Sequence, residues 1–424
     1  VYTDGEALAG PRSGPDPSDQ KGTDPVSERG PLTATTALRK RLAPCEPDDL
    51  AAAARETRRQ LWRASGPSGF DDLLPWPTLT PLVTADALCG GTVRAMRRDR
   101  DLPLEMLTRA AGRNGERILV PEALQQACRQ GLSLVVNAID ADVPAIAAMN
   151  AMLERHLRCD VLTNAYASYE QEGAFSAHYD SHDVLILQIH GRKRWWCHGQ
   201  VDPFPVRTRV FSSPASLPAS EWEGVLEPGD VLFVPRGDVH HAAAFEGEAS
   251  VHLTVTLLPP QGIDLLRWIG RRAQRGELAR RSIPAGADAA ELAEWTSAYR
   301  QMLHQTADEL DLSEFLADAD RARAPVRPLN PGFAQAPKPT TVVQPSLRRR
   351  IPIPTGTGDI PLQIGPTTVK LGEPERAVLA TLVERDSLSV SGLSEALAGI
   401  DVAEAVAALA RKSLVFLFDA PSSR

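Results

Sequence analysis

Sulfur chemistry is scarce in this chain. Its five cysteines (Cys45, Cys89, Cys128, Cys159 and Cys197) are odd in number, widely spread and without a C-x-x-C pair, a usage that argues against a disulfide scaffold or a cysteine-held zinc and fits a reducing cytoplasm. Also lacking is any apolar run long enough to span a bilayer, and the polar N-terminus shows neither anchor nor signal peptide, so no membrane association is expected. Because the first residue is Val1, the natural start is expected to lie upstream. Positive charge is in deficit, with 46 Lys and Arg against 54 Asp and Glu and a formal charge of −8. That balance excludes a chain whose main task is coating nucleic acid, while leaving room for a local basic patch. Histidine is rare too, with nine in all, which makes its placement informative.

What is present is ordinary globular composition over 424 residues, 43% hydrophobic and 24% charged, enough for two or three domains. Residues 1–36 are crowded with Gly, Pro, Ser, Asp and Thr and have almost nothing to bury, so they read as a disordered leader. A helix is expected from about Asp48, as N-cap, to Gln60. The proline-rich stretch LPWPTLTPLV at Leu74–Val83 reads as an edge or loop. Pro121 and Pro144 are placed to begin helices over Pro121–Gly131 and Val143–Cys159. From Val161 to Leu258 the period shortens to runs such as VLILQI, RWWC, VLFVP and VHLTVTL, broken by Gly, Pro and Asp. This is an all-β segment of the jelly-roll kind, to which cupins belong. Helical spacing returns over Asp264–Leu312, residues 323–350 look like a linker, and Leu371–Phe418 reads as a small α/β domain ending in the strand-like run LVFLF.

Seven of the nine histidines (His178, His182, His190, His198, His240, His241 and His252) fall in the β segment. In H178-Y-D180 the two potential ligands are one residue apart, so an extended backbone points both to one side and Tyr179 to the other. Two histidines and one carboxylate form the facial triad that leaves positions open on non-haem Fe(II). The third ligand is His240, after the turn PRG at the end of VLFVP, or its neighbour His241, which strand alternation turns the other way. A 2-oxoglutarate co-substrate needs a cation for its distal carboxylate, and G191-R-K-R-W195 offers three. Alternation sets Lys193 opposite in face to Arg192 and Arg194, and Lys193 is preferred. On residue type alone Asn164 and Thr254 are ordinary strand polar residues, and Trp195 and Trp196 a core residue and its outward neighbour.

With N164-A-Y166, H178-Y-D180, VLILQIHGRKRWW, LEPGDVLFVPRGDVH240 and VHLTVTL in order, the stretch from about Gly131 to Leu258 resembles the JmjC/cupin-type oxygenases known as ribosomal oxygenases, which hydroxylate side chains of ribosomal proteins. The resemblance implies an α+β fold with a double-stranded β-helix core and flanking helices. It implies His178, Asp180 and His240 as iron ligands and catalytic centre, Lys193 on the 2-oxoglutarate carboxylate, and Asn164, Tyr166 and Thr254 in the co-substrate pocket. The cofactors implied are Fe(II), 2-oxoglutarate and O2. The expected domains are a leader (1–36), an oxygenase domain (37–260), a helical dimerisation domain (261–322), a linker (323–355) and a winged-helix-like domain (356–424), with a homodimer implied. Near the C-terminus, Lys370 and the four basic residues of Leu371–Asp419 face eight acidic ones, so DNA binding is not expected there. The expected function is hydroxylation of a side chain in a protein or peptide, ribosomal protein being the implied substrate. A lysine demethylase, a biosynthetic hydroxylase of a peptide or small molecule, and a non-catalytic metal-binding cupin share the same residues.

Overall fold

The structure is a computed structural model that describes residues 34–66, 70, 72–111, 116–169, 175–206, 211–212, 216–323 and 336–418. The expected leader therefore lies outside the described residues except at its end, where a helix already runs from Ala34 to Leu42.

The run V184-L-I-L-Q-I189 is apolar on both faces of the strand Asp183–His190 because both faces are buried, which is the sequence mark of a central strand. That strand pairs with Ser250–Leu258 on one side and Val231–Val234 on the other. They sit inside an eight-stranded sheet that continues through Asp160–Ser168, Ser133–Val136 and Val93–Arg97 to Arg100–Asp101, and ends on the other side at Gln60–Trp62. Alternation then divides the work. Leu185, Leu187, Phe233, Val251 and Leu253 pack with the helices on the outer face in the largest core. Val184, Ile186, Leu232 and Val234 face inward and pack with Trp195, Cys197 and Leu226 of a second sheet. The second sheet is Trp222–Leu226, Lys193–Gln200 and Asp238–Ala244, extended by a bridge from His240 to His178 and by the ribbon of Tyr179–Asp180 with Phe211–Ser212. Two sheets enclosing one interior is the cupin arrangement expected from the sequence.

Four strands before Val161 also belong to the large sheet, where the sequence suggested only helices and loops. Val93–Arg97 alternates Val, Arg, Ala, Met, Arg, and Arg100–Asp101 is charged and exposed, so these edge elements lack the continuous apolar run of the centre. The stretch Leu74–Val83 is not an edge or a loop throughout. It holds a one-turn helix, Trp76–Leu79, and a 3-10 turn, Thr80–Leu82, each with proline in its first turn where no amide bond is lost. The helix expected from Asp48 to Gln60 is Pro47–Arg55, with Glu46 rather than Asp48 at the N-cap position, and the two proline-started helices fall at Pro121–Arg129 and Pro144–Leu157.

Helices Gly262–Ala273, Ala289–Asp308 and Leu312–Ala322 come after the β segment. The last described portion has a core of its own, built from Glu373–Arg385, Val390–Ala396 and Val402–Arg411 against short strands. One of those strands, Val342–Pro345, lies inside the expected linker and pairs with Val415–Phe418 and Leu388–Ser389. The β-branched pair Val342-Val343 supplies its strand preference, and Val343 is fully buried. The small unit therefore starts well before residue 356.

Candidate active site

Two glycines set the strands that carry the site. Gly237 adopts φ +77°, and a Cβ there would lie 1.6 Å from the carbonyl oxygen of Asp202. Only glycine permits the tight turn that delivers Asp238–Ala244 back into the barrel. Gly191 does the same before Lys193–Gln200, with φ +60°, where a Cβ would lie 2.0 Å from the carbonyl oxygen of Ala249.

These turns bring His178, Asp180 and His240 together. One ligand atom from each lies within 4.8 Å of the others, and His240 Nε2 is 3.7 Å from Asp180 Oδ2. His178 and His240 are direct antiparallel partners, joined by His178 N–H to His240 O at 3.1 Å and His240 N–H to His178 O at 2.7 Å. Each imidazole is oriented by its other nitrogen. His178 Nδ1–H donates to Ser176 O at 2.8 Å, and His240 Nδ1–H donates to Asp238 O at 2.9 Å, which leaves both Nε2 atoms as lone-pair donors. Burial and the neighbouring His240 hold the His178 pKa down to about 4, so the ring is neutral at ordinary pH, the state a ligand requires. His241 turns to the outer side of the second sheet, stacking on Trp196 at 4.7 Å between centroids.

The three groups line a cavity of about 600 Å³ whose inner end holds Lys193. Lys193 is buried and donates to Ser168 Oγ at 3.0 Å and His252 Nδ1 at 3.3 Å. Among the described residues no carboxylate pairs with it. Burial without a counter-charge pulls its pKa down to about 7. Arg192 instead pairs with Glu248, and Arg194 lies 3.6 Å from Glu223, so alternation separates the three cations as expected. His252, on the large sheet across the interior, is held well below its usual pKa by burial and by Lys193. Tyr166 stacks on it at 5.0 Å and 11°, and burial, with Asp180 nearby, pushes its phenol up to about 12. Asn164 Oδ1 accepts from Ala138 N–H at 2.9 Å, and Asn164 and Thr254 also border the cavity.

Ser168, His252 and the cavity-facing side of Trp195 are not among the residues that the sequence singles out for the site. All three lie two residues along a strand from one that it does: Ser168 from Tyr166, His252 from Thr254, and Trp195 from Lys193. The period of two could have found them. Trp195 is buried as expected, but it borders the cavity between His240 and His252.

Comparison with known proteins agrees with this geometry. Residues 139–265 match the JmjC domain family. A protein of Drosophila willistoni described as bifunctional lysine-specific demethylase and histidyl-hydroxylase NO66 is 26% identical over 223 residues, 52% of this chain and 28% of that protein. Ribosomal oxygenase 1 of Rattus norvegicus is 31% identical over 141 residues, 32% of this chain and 24% of that protein. The chain thus spans under a third of the length of these curated relatives. In fold it is similar to the X-ray structure of E. coli ycfD, with a TM-score of 0.52 at 18% identity, covering 89% of this chain and 99% of that one. Cupin barrel, histidine and carboxylate cluster and sequence match agree: residues 139–265 are a JmjC domain.

Proposed function

We propose that this chain is an Fe(II)- and 2-oxoglutarate-dependent oxygenase that hydroxylates a side chain of a protein, with a ribosomal protein as the first candidate. The observation that carries the reading is one cavity holding both His178, Asp180 and His240 and, at its inner end, a buried lysine without a carboxylate. Two imidazoles and a carboxylate suit Fe(II) and leave positions for other ligands. When bound, the iron with 2-oxoglutarate and O2 supplies insertion of one oxygen atom into a C–H bond, the other leaving in succinate as CO2 is released.

The chain's own residues hold and orient. Lys193 and the Ser168 hydroxyl meet the distal carboxylate, which restores full charge to the ammonium and supplies the counter-ion its burial lacks. Tyr166 and His252 form a flat wall beside that anchor, with Asn164 and Thr254 on neighbouring strands. Val184 and Ile186 keep this end of the cavity apolar, which excludes water and strengthens the charged contacts. Incubation with Fe(II) and 2-oxoglutarate is expected to yield succinate, with none from His178→Ala. Ribosomal proteins treated with the enzyme should gain the mass of one oxygen. If no ribosomal protein changes, a biosynthetic peptide or small molecule becomes the substrate to seek.

The name of the Drosophila willistoni relative carries a second reading, lysine demethylation. It shares the oxygen insertion but ends in loss of formaldehyde, and a formaldehyde assay separates the two. We also infer that helices Gly262–Ala273 to Leu312–Ala322 form a homodimer interface, supported by the exposed Leu266, Ile283, Leu303 and Leu312. The C-terminal unit reads as winged-helix-like, supported by three helices on a three-stranded sheet, and as an interaction module rather than a DNA reader. A cytoplasmic site of action fits the free cysteines. No helix among the described residues is long and apolar enough to cross a membrane.

A further inference from the structure

We propose that Asp99 is a positioning residue for His178, acting from outside the cavity through Ser176. The inference rests on the metal-binding role of His178 and adds a remote residue to it. Asp99 sits at the tip of the hairpin joining Val93–Arg97 to Arg100–Asp101, at the far end of the large sheet. Arg98 and Asp99 both adopt left-handed backbone, φ +49° and +64°, a conformation that costs non-glycine residues free energy. That turn aims the Asp99 carboxylate at one peptide. Oδ1 accepts the Ser176 amide N–H at 2.7 Å, and Oδ2 accepts the Ser176 hydroxyl. The carbonyl of Ser176 is the acceptor that orients the His178 ring, at 2.8 Å. Ser176 is itself exposed, so without the carboxylate its amide and hydroxyl would bond to water and its carbonyl would be free to swing.

The other metal histidine is held by the same plan. His240 donates to the carbonyl of Asp238, also two residues earlier. The Asp238 carboxylate is fixed by Arg59 Nη1–H at 2.8 Å and Gly199 N–H at 3.0 Å. Asp238, however, is buried within its strand, whereas Ser176 precedes the two-residue strand Tyr179–Asp180. The His178 side therefore depends more on its remote anchor. The hairpin acts as a strap from the last strands of the large sheet across to the second sheet.

Cobalt(II) titration, followed by its visible absorption, tests this without turnover. Asp99→Ala is expected to weaken cobalt binding by about 10–100-fold, the usual effect of losing a group that orients a ligand. Asp99→Asn, which keeps one acceptor oxygen, and Ser176→Ala, which loses only the hydroxyl bond, should lie between it and wild type. Arg100→Ala, on the same hairpin, should match wild type. A merely structural role would lower the melting temperature and leave the affinity of the folded protein unchanged. Wild-type affinity within twofold in Asp99→Ala, with binding lost in His178→Ala, overturns the strap and leaves the metal reading standing. If wild type gives no cobalt band that His178→Ala removes, the metal reading fails and the strap with it. Should Asp99→Ala not fold, Asp99→Asn and Ser176→Ala decide by the same criterion.

Discussion

At the scale of single residues the site is governed by one uncompensated charge. Lys193, held at about pKa 7 instead of 10.5 by burial, regains its proton when an anion arrives. The affinity for 2-oxoglutarate should therefore be flat below pH 7 and fall about tenfold per pH unit above it, because binding then takes up a proton. Calorimetry in buffers of different ionisation heat would show both the slope and the proton uptake, and a flat profile to pH 9 would remove Lys193 as the anchor. Lys193→Met should weaken 2-oxoglutarate binding by at least about 100-fold, as loss of a charge-assisted contact worth roughly 3 kcal/mol. It should leave the melting temperature equal or higher, since an apolar side chain replaces a desolvated ammonium. Alternation set Lys193 on the opposite face from two arginines, and the family resemblance, more than the period, singled it out. His252 and Ser168 were not legible in sequence, because a histidine and a serine on buried strands look like structural residues until the opposite sheet brings a lysine against them.

At the scale of elements, turns matter more than the strands they join. Gly237→Ala is expected to cost about 3 kcal/mol, combining a left-handed backbone with a Cβ driven into the Asp202 carbonyl, as a urea midpoint shift at constant slope would show. The central strands were readable because burial on both faces writes a continuous apolar run, as in Asp183–His190. Gln60–Trp62 at one edge of the sheet and Val93–Arg97 next to the other were not, because partly buried short segments carry mixed polarity and are fixed by the strands they join. The strand Val342–Pro345 was hidden for a related reason. It lies between a proline-rich stretch and an arginine run, and both suggest a linker until Val415–Phe418 supplies a partner.

At the scale of the whole molecule, one carboxylate ties the JmjC domain to the C-terminal part of the chain. Glu154, fully buried in the helix Pro144–Leu157, meets Arg323 at 2.7 Å, Arg348 at 2.6 Å and Arg349 at 3.3 Å. Arg155 beside it meets Asp386 of the small C-terminal unit at 3.1 Å. Glu154→Gln leaves three arginines without that counter-charge and should cost about 3–5 kcal/mol by denaturant titration. Glu404→Gln, which breaks an exposed pair with Arg411, should change stability by less than about 1 kcal/mol. This junction was invisible in sequence, since nothing local marks which of many arginines will converge on one glutamate. The mutual backbone bonds between His178 and His240 act at this scale too, because they fix the separation of the two imidazoles by the fold and not by an ion. On the proposed reading such a site is a ready-made socket for a divalent ion that accepts two nitrogens and an oxygen. Zinc and copper bind such donors more tightly than iron does, so occupancy by iron is decided by which metals the surroundings supply.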